Sequence, residues 1–258
     1  CQPSVTVPAT RDGWVTQAPT DRLLAAVGPG TSVRLETRPG AYVHAGEPLI
    51  AVWPAPADAR VLRRLSAAVF VSDTRTMQCD VDFALRQLVD IGLRALSAAI
   101  NDPTTAVEVT LQVGSLLRRL LIVPDPADAV AGPGGRLLLR PWALSGDELI
   151  AHGFDQLRHA APGQPQVAAA LLRVARMLIA HVEAAGRSEH VPALRRQIDL
   201  LLEALRSTPG LHRADLARLE AIATDADPAD HSRRWAPASP ATADVPLLNG
   251  HRSPAGPS

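Results

Sequence analysis

The sequence predicts an α+β chain: a small β module over residues 1–54, a mainly α-helical bundle over 55–224, and a disordered tail over 225–258. Three patterns predict it. Before Trp53, apolar and polar residues alternate in short runs bounded by Gly and Pro. From Asp58 onward, apolar residues recur at three- and four-residue spacing, the mark of helices burying one face. Beyond Asp225 the chain is rich in Ala, Pro, Ser and Asp and has no period, so it cannot bury a core.

In order along the chain, Val5 and Val7 alternate with polar neighbours, Trp14 and Val15 follow the Asp12-Gly13 turn, and Val33 to Thr37 alternates again. A short helix is expected at Asp21–Val27, with Thr20 as N-cap and Gly28-Pro29-Gly30 as terminator. From Arg38 to Leu49 the pattern is two closely spaced turns around a short strand, with Gly40 and Gly46 supplying the backbone freedom. The run is similar to the hammerhead turn of barrel-sandwich domains such as biotinyl and lipoyl carriers. Trp53-Pro54-Ala55-Pro56 is a linker. Helices are expected near 58–69, 80–100, 103–122, 146–160, 165–186, 190–206 and 212–224, and Ala129 to Arg140 is a loop or small hairpin.

Composition excludes several functions. The formal net charge is +0, so no overall field draws the chain to nucleic acid. All 26 basic side chains are arginine. Without lysine there is no Gly-Lys-Ser/Thr phosphate loop, Schiff base or biotinyl attachment site. Cys1 and Cys79 make no disulfide framework, and Cys79 reads as a half-buried thiol in a reducing compartment. The most apolar helix, Val167 to Val182, is short and carries Arg173 and Arg176, so no membrane span is expected and the chain reads as soluble. The start at Cys1-Gln2-Pro3, without methionine or signal peptide, predicts a piece of a longer protein.

The most specific stretch is Asp82 to Val107. On the expected helix, Asp82, Arg86, Asp90, Arg94 and Ser97 recur every three or four residues and share one face, with apolar side chains over most of the rest. Asp82–Arg86, Arg86–Asp90 and Asp90–Arg94 are i,i+4 pairs of opposite sign. Two readings stand: a solvated stripe of self-compensating pairs, or a charged row facing a groove or partner, where arginine forks hold a carboxylate or phosphate. After it, Asn101 fits a left-handed helix end, Asp102 an N-cap and Pro103 the first helical position. Asp80 and Asp90 are ten residues apart, about 15 Å along a helix axis, so they do not share a metal ion. The eight histidines show no zinc spacing and read as scattered surface or half-buried groups. No cofactor motif is present.

The segments Gly13-Trp14-Val15, Arg38-Pro39-Gly40-Ala41-Tyr42-Val43, Ala45-Gly46-Glu47-Pro48-Leu49, Arg75-Thr76, Asp80, Phe83 to Ser97, Ile100-Asn101-Asp102-Pro103, Thr105-Ala106 and Gly153 to Arg158 resemble the bacterial family of predicted membrane proteins called domain of unknown function 2254. Members carry transmembrane helices upstream of this region. The chain departs from the family pattern at Cys79, where glutamine is expected, and at Ala98-Ala99, where proline or glycine is usual. The resemblance implies a water-facing part of a bacterial membrane protein, cytoplasmic or attached on the cytoplasmic side, and supplies no reaction.

The expected function is a non-enzymatic binding, regulatory or assembly module, whose partners are a second copy of the chain or a membrane-embedded parent region. The alternatives are an enzyme or ligand-binding domain acting on a small anionic molecule, and a transport or channel accessory. Candidate binding residues are Arg75, Asp80, Arg86, Asp90, Arg94, Asn101 and Asp102. No catalytic residue, metal ligand or cofactor is assigned.

Overall fold

A computed structural model describes residues 4–224; the tail expected over 225–258 lies outside the described residues. The class is α+β. In chain order the elements are β1 (Val5–Pro8), β2 (Gly13–Gln17), α1 (Thr20–Ala25), β3 (Ser32–Leu35), β4 (Tyr42–Val43), β5 (Pro48–Trp53), α2 (Ala59–Ala68) and β6 (Phe70–Ser72). There follow α3 (Val81–Ala95), α4 (Pro103–Leu120), β7 (Ala129–Gly132), β8 (Arg136–Leu139), α5 (Gly146–Ala160), α6 (Pro165–Ala184), α7 (Val191–Arg206) and α8 (Arg213–Ala223).

The strands form a five-stranded sheet in the order β1-β5-β3-β8-β7 and a three-stranded sheet in the order β4-β2-β6. All pairings are antiparallel except β3 with β8, where Val33 stands opposite Leu138. Alternation explains the registers. Val33, Leu35, Ile50 and Val52 turn inward and meet Val7, Val15 and Leu23. Leu65 and Ala68 of α2 and Leu138 of β8 close this core, so the β layer takes side chains from well beyond residue 54. The turns around β4 follow expectation: Gly40 and Gly46 have φ of 85° and 92°, open to glycine at no steric cost.

A second apolar cluster joins α3 to α8, with Leu85, Val113, Phe154, Leu157, Leu172 and Leu194 at most 2% exposed. Close packing sets which residues fit. Gly92 of α3 lies against Leu157 and Val109, where a methyl group would crowd both side chains.

Three local expectations need correction. Thr20 is inside α1 rather than capping it; Pro19 holds the cap position without a side-chain bond. The helix expected over 80–100 is α3, and it stops at Ala95. Asp80 caps its start by accepting from the Phe83 N–H, and tight turns follow, with the Ser97 N–H bonded to Arg94 O and Ile100 N–H to Ser97 O. Cys79 is exposed rather than half-buried. By contrast, Asn101 does take the left-handed conformation, with φ of 48°, and Asp102 accepts from the Thr105 N–H to cap α4, with Pro103 in its first turn. α5 begins with a full capping box between Ser145 and Glu148.

Candidate functional site

The chemistry-bearing residues gather at the start of α3, where the β layer meets the bundle. The loop between β6 and α3 brings in Arg75, and the first turn of α3 contributes Asp80 and Asp82. Arg75 Nε donates to Asp80 Oδ2 at 2.7 Å, and Nη2 reaches both Asp80 Oδ1 at 3.2 Å and Asp82 Oδ2 at 3.1 Å. Arg86, one turn on, donates from Nε to the same Asp82 Oδ2 at 2.8 Å. The other Asp82 oxygen faces Nδ1 of His152 on α5 at 2.6 Å. His152 Nε2 in turn lies 3.1 Å from Arg86 Nη2, which can only donate.

The cluster is largely buried. Asp82 and Asp80 side chains are 2% and 3% exposed, Arg75 is 13% and His152 24%, while Arg86 at 40% marks its outer edge. Burial pushes the Asp82 carboxyl up, but Arg86, His152 and Arg75 outweigh it and hold it below the ordinary carboxylate range. Burial also works against charge on Arg75, yet Asp80 and Asp82 raise it above its ordinary value. The Arg75 guanidinium lies over two rings, 5.0 Å from the centroid of Trp14 on β2 and 4.9 Å from that of Phe83 on α3. Gly40, in the turn before β4, lies directly against the Asp80 carboxylate, where no side chain fits. The β layer thus meets the bundle through a cation that lies over one ring from each and is forked onto two acids.

Of the residues expected to bind, Arg75, Asp80 and Arg86 come together here. Asp90 and Arg94 do not. Both are exposed, and neither side chain makes a hydrogen bond or ion pair with another described residue. Only the first of the three expected i,i+4 pairs, Asp82–Arg86, is an ion pair. Asp90 is eight residues past Asp82, about 12 Å along the axis, and has no such partners. Asn101 and Asp102 lie at the junction of α3 and α4. Asn101 Oδ1 accepts from Gln164 Nε2 at 2.9 Å, and the Asp102 carboxyl is lowered by the Thr105 hydroxyl and N–H. Two members escaped sequence reading as site residues. Asp82 stood in the row without being chosen as a binding candidate. His152 read as a scattered surface group, and nothing in its neighbourhood in sequence points to an acid on another helix.

Beside the cluster is a cavity of about 410 Å³, with Asp80 and Asp82 in one wall and Leu120, Leu144 and Leu149 among its apolar lining. Among the described residues, no set of three His, Cys, Asp or Glu side chains is placed to hold a metal ion, and no helix is long and apolar enough to cross a membrane.

Uncharacterized proteins of Mycobacterium bovis and Mycobacterium tuberculosis are each 35% identical over 156 residues, covering 58% of this chain and 30% of theirs. A further uncharacterized protein of Mycobacterium tuberculosis, strain CDC 1551, is 34% identical over 145 residues, 54% of this chain and 28% of its own. The aligned region is therefore less than a third of the length of these curated relatives. No solved structure matches. The sequence model of the predicted membrane protein family called domain of unknown function 2254 matches residues 2–177, which carry the whole cluster, and the chain belongs to that family.

Proposed function

We propose that the chain is a non-enzymatic binding and assembly module of its membrane protein, facing water on the cytoplasmic side. In this reading the Arg75–Asp82 cluster is the clasp that fixes the β layer to the bundle. The β layer, with its turns at Gly40 and Gly46, acts as a barrel-sandwich-like docking unit. One observation carries the proposal: both Asp82 oxygens are occupied, one by Arg75 and Arg86 and the other by His152. A general base or nucleophile needs a lone pair open to substrate. Here the acid is spent on holding neighbours. The alternative, a domain that takes a small anionic molecule, draws support from the cavity beside the cluster and none from Asp90 and Arg94.

A clasp and a catalytic cluster respond oppositely to substitution. Breaking a buried ion cluster leaves unpaired charge and costs stability, whereas blunting a strained active site commonly leaves stability unchanged or raises it. Arg75→Ala in the whole chain, followed by amide hydrogen exchange, tests the proposal. Faster exchange in both Gly13–Gln17 and the first turn of α3 is the expected result. Native protection at both, with unchanged stability, would remove the clasp.

A further inference from the structure

Among the buried side-chain polar atoms of the described residues, one has no hydrogen-bond partner: the hydroxyl of Thr37, a residue 7% exposed. An orphaned buried hydroxyl is costly and is rarely left so in a folded chain. Thr37 lies just past β3 and lines the 410 Å³ cavity at the seam, next to Arg38, which lines it too. Arg38 is half-buried, and its guanidinium makes no hydrogen bond or ion pair with another described residue. Its charge acts on Glu148, whose carboxyl is lowered first by the Ser145 N–H and also by Arg38, yet Glu148 is bonded to Ser145 and not to Arg38. Arg140, also in the lining, donates to the Ala127 carbonyl and to no acid.

The acids of the same wall are differently placed. Asp80 and Asp82 are covered by Arg75, Arg86 and His152, and Asp125 has Arg187 at 3.8 Å. Of the charged lining side chains, the Arg38 guanidinium is the one left without a hydrogen bond or ion pair to another described residue. The remaining lining is apolar, with Leu35, Leu120, Val123, Leu144 and Leu149 contributed by the β layer, the end of α4, the following loop and the start of α5. A cleft of this volume with few convergent polar groups has the form of a small-molecule site, whose usual range is roughly 300–1,000 Å³.

We infer that this cavity binds a small amphipathic anion, a carboxylate or phosphate on a single apolar body, with the head held by Arg38 and the Thr37 hydroxyl and the body against the leucines. The inference rests on the seam reading above, because the clasp holds the two walls at this spacing. An arginine fork suits a carboxylate or phosphate, and the threonine hydroxyl supplies a further donor. Each partner is thereby satisfied: the ligand head replaces the missing acceptor for Thr37 and the missing counter-charge for Arg38.

Titration calorimetry on the whole chain with octanoate and octyl phosphate, both below their micellar concentrations, tests it. Saturable one-to-one binding is expected. Octanol and inorganic phosphate each lack half of the recognition and should bind roughly ten-fold more weakly or worse, as should either amphiphile with Arg38→Ala, since a charge-assisted hydrogen bond is lost. Leu144→Trp, which fills the cavity from a lining position on its apolar side, should abolish binding. Vesicles of phosphatidylglycerol separate the sources: co-sedimentation that Arg38→Ala removes assigns the site to a lipid headgroup, and amphiphile binding without co-sedimentation assigns it to a free metabolite-like anion. No saturable binding of either amphiphile would overturn the inference, as would binding or co-sedimentation that both Arg38→Ala and Leu144→Trp leave intact. Failure of the clasp reading shows instead as native protection in Arg75→Ala, so the two failures are read separately.

Discussion

Nδ1 of His152 stands 2.6 Å from Oδ1 of Asp82, although 70 positions of sequence separate them. That contact ties α5 to the first turn of α3, and through Arg75 the same carboxylate ties both to the β layer. A single buried acid therefore stands where the chain's two apolar cores meet.

Arginine at position 75 should not be replaceable by lysine. The guanidinium is forked on Asp80 and Asp82 and lies over the rings of Trp14 and Phe83, and an ammonium has neither the plane nor the paired donors. Arg75→Ala is expected to cost about 3–5 kcal/mol, the usual loss when one partner of a buried pair is removed. Arg75→Lys should recover only part of it. Urea unfolding of the three proteins checks the order.

Acid should weaken the fold partly through Asp82. Its folded carboxyl lies below the ordinary range, so its contribution is fully present above the unfolded value of about 3.9 and is lost as pH falls through the folded value. Unfolding measured from pH 7 to pH 3 should show a steep loss below about pH 4. In Asp82→Asn that loss should be shallower, with a residual slope from Asp102 and Glu148, which are also lowered. An identical slope in both proteins would separate Asp82 from the acid response.

Gly40→Ala should destabilise for two additive reasons. The φ of 85° puts an L-residue in a left-handed conformation, costing roughly 1–2 kcal/mol. The new methyl would also meet the Asp80 carboxylate and push it off Arg75. Gly46→Ala, with a φ of 92° and open space around it, carries only the first cost. The difference between the two variants in thermal unfolding isolates the contact.

Thr37→Val should act in the opposite sense. Removing a hydroxyl with no partner relieves a desolvation penalty of about 1–3 kcal/mol at little change in shape, so the unliganded chain should gain stability. The same change should weaken binding of octyl phosphate. A variant more stable and less competent to bind marks a residue kept for a ligand rather than for the fold.

Much of the architecture was legible in sequence, because local chemistry dictates it. The restart at Asn101-Asp102-Pro103, the capping box at Ser145 and the turns at Gly40 and Gly46 all occur where the residue types require them. Of the loop or small hairpin expected over Ala129 to Arg140, the hairpin forms, yet its parallel pairing with β3 depends on a contact that no local pattern encodes. The strand β6 was also unforeseen; three residues are too few to show alternation. The charged row shows the same limit. Period fixes which residues share a face of α3, but not what covers that face. Partners from elsewhere bury Asp82 at one end, while Asp90 and Arg94 stay in water. The half-turns after Ala95 then take Ser97 off the helix altogether.

Parallel urea unfolding of Asp82→Asn and Asp90→Asn asks directly whether one end of the row is structural and the other is not. Asp82→Asn should lose about 3–5 kcal/mol, and Asp90→Asn should stay within about 0.5 kcal/mol of the parent. Equal effects, or a stable Asp82→Asn chain, would contradict a clasp at the seam.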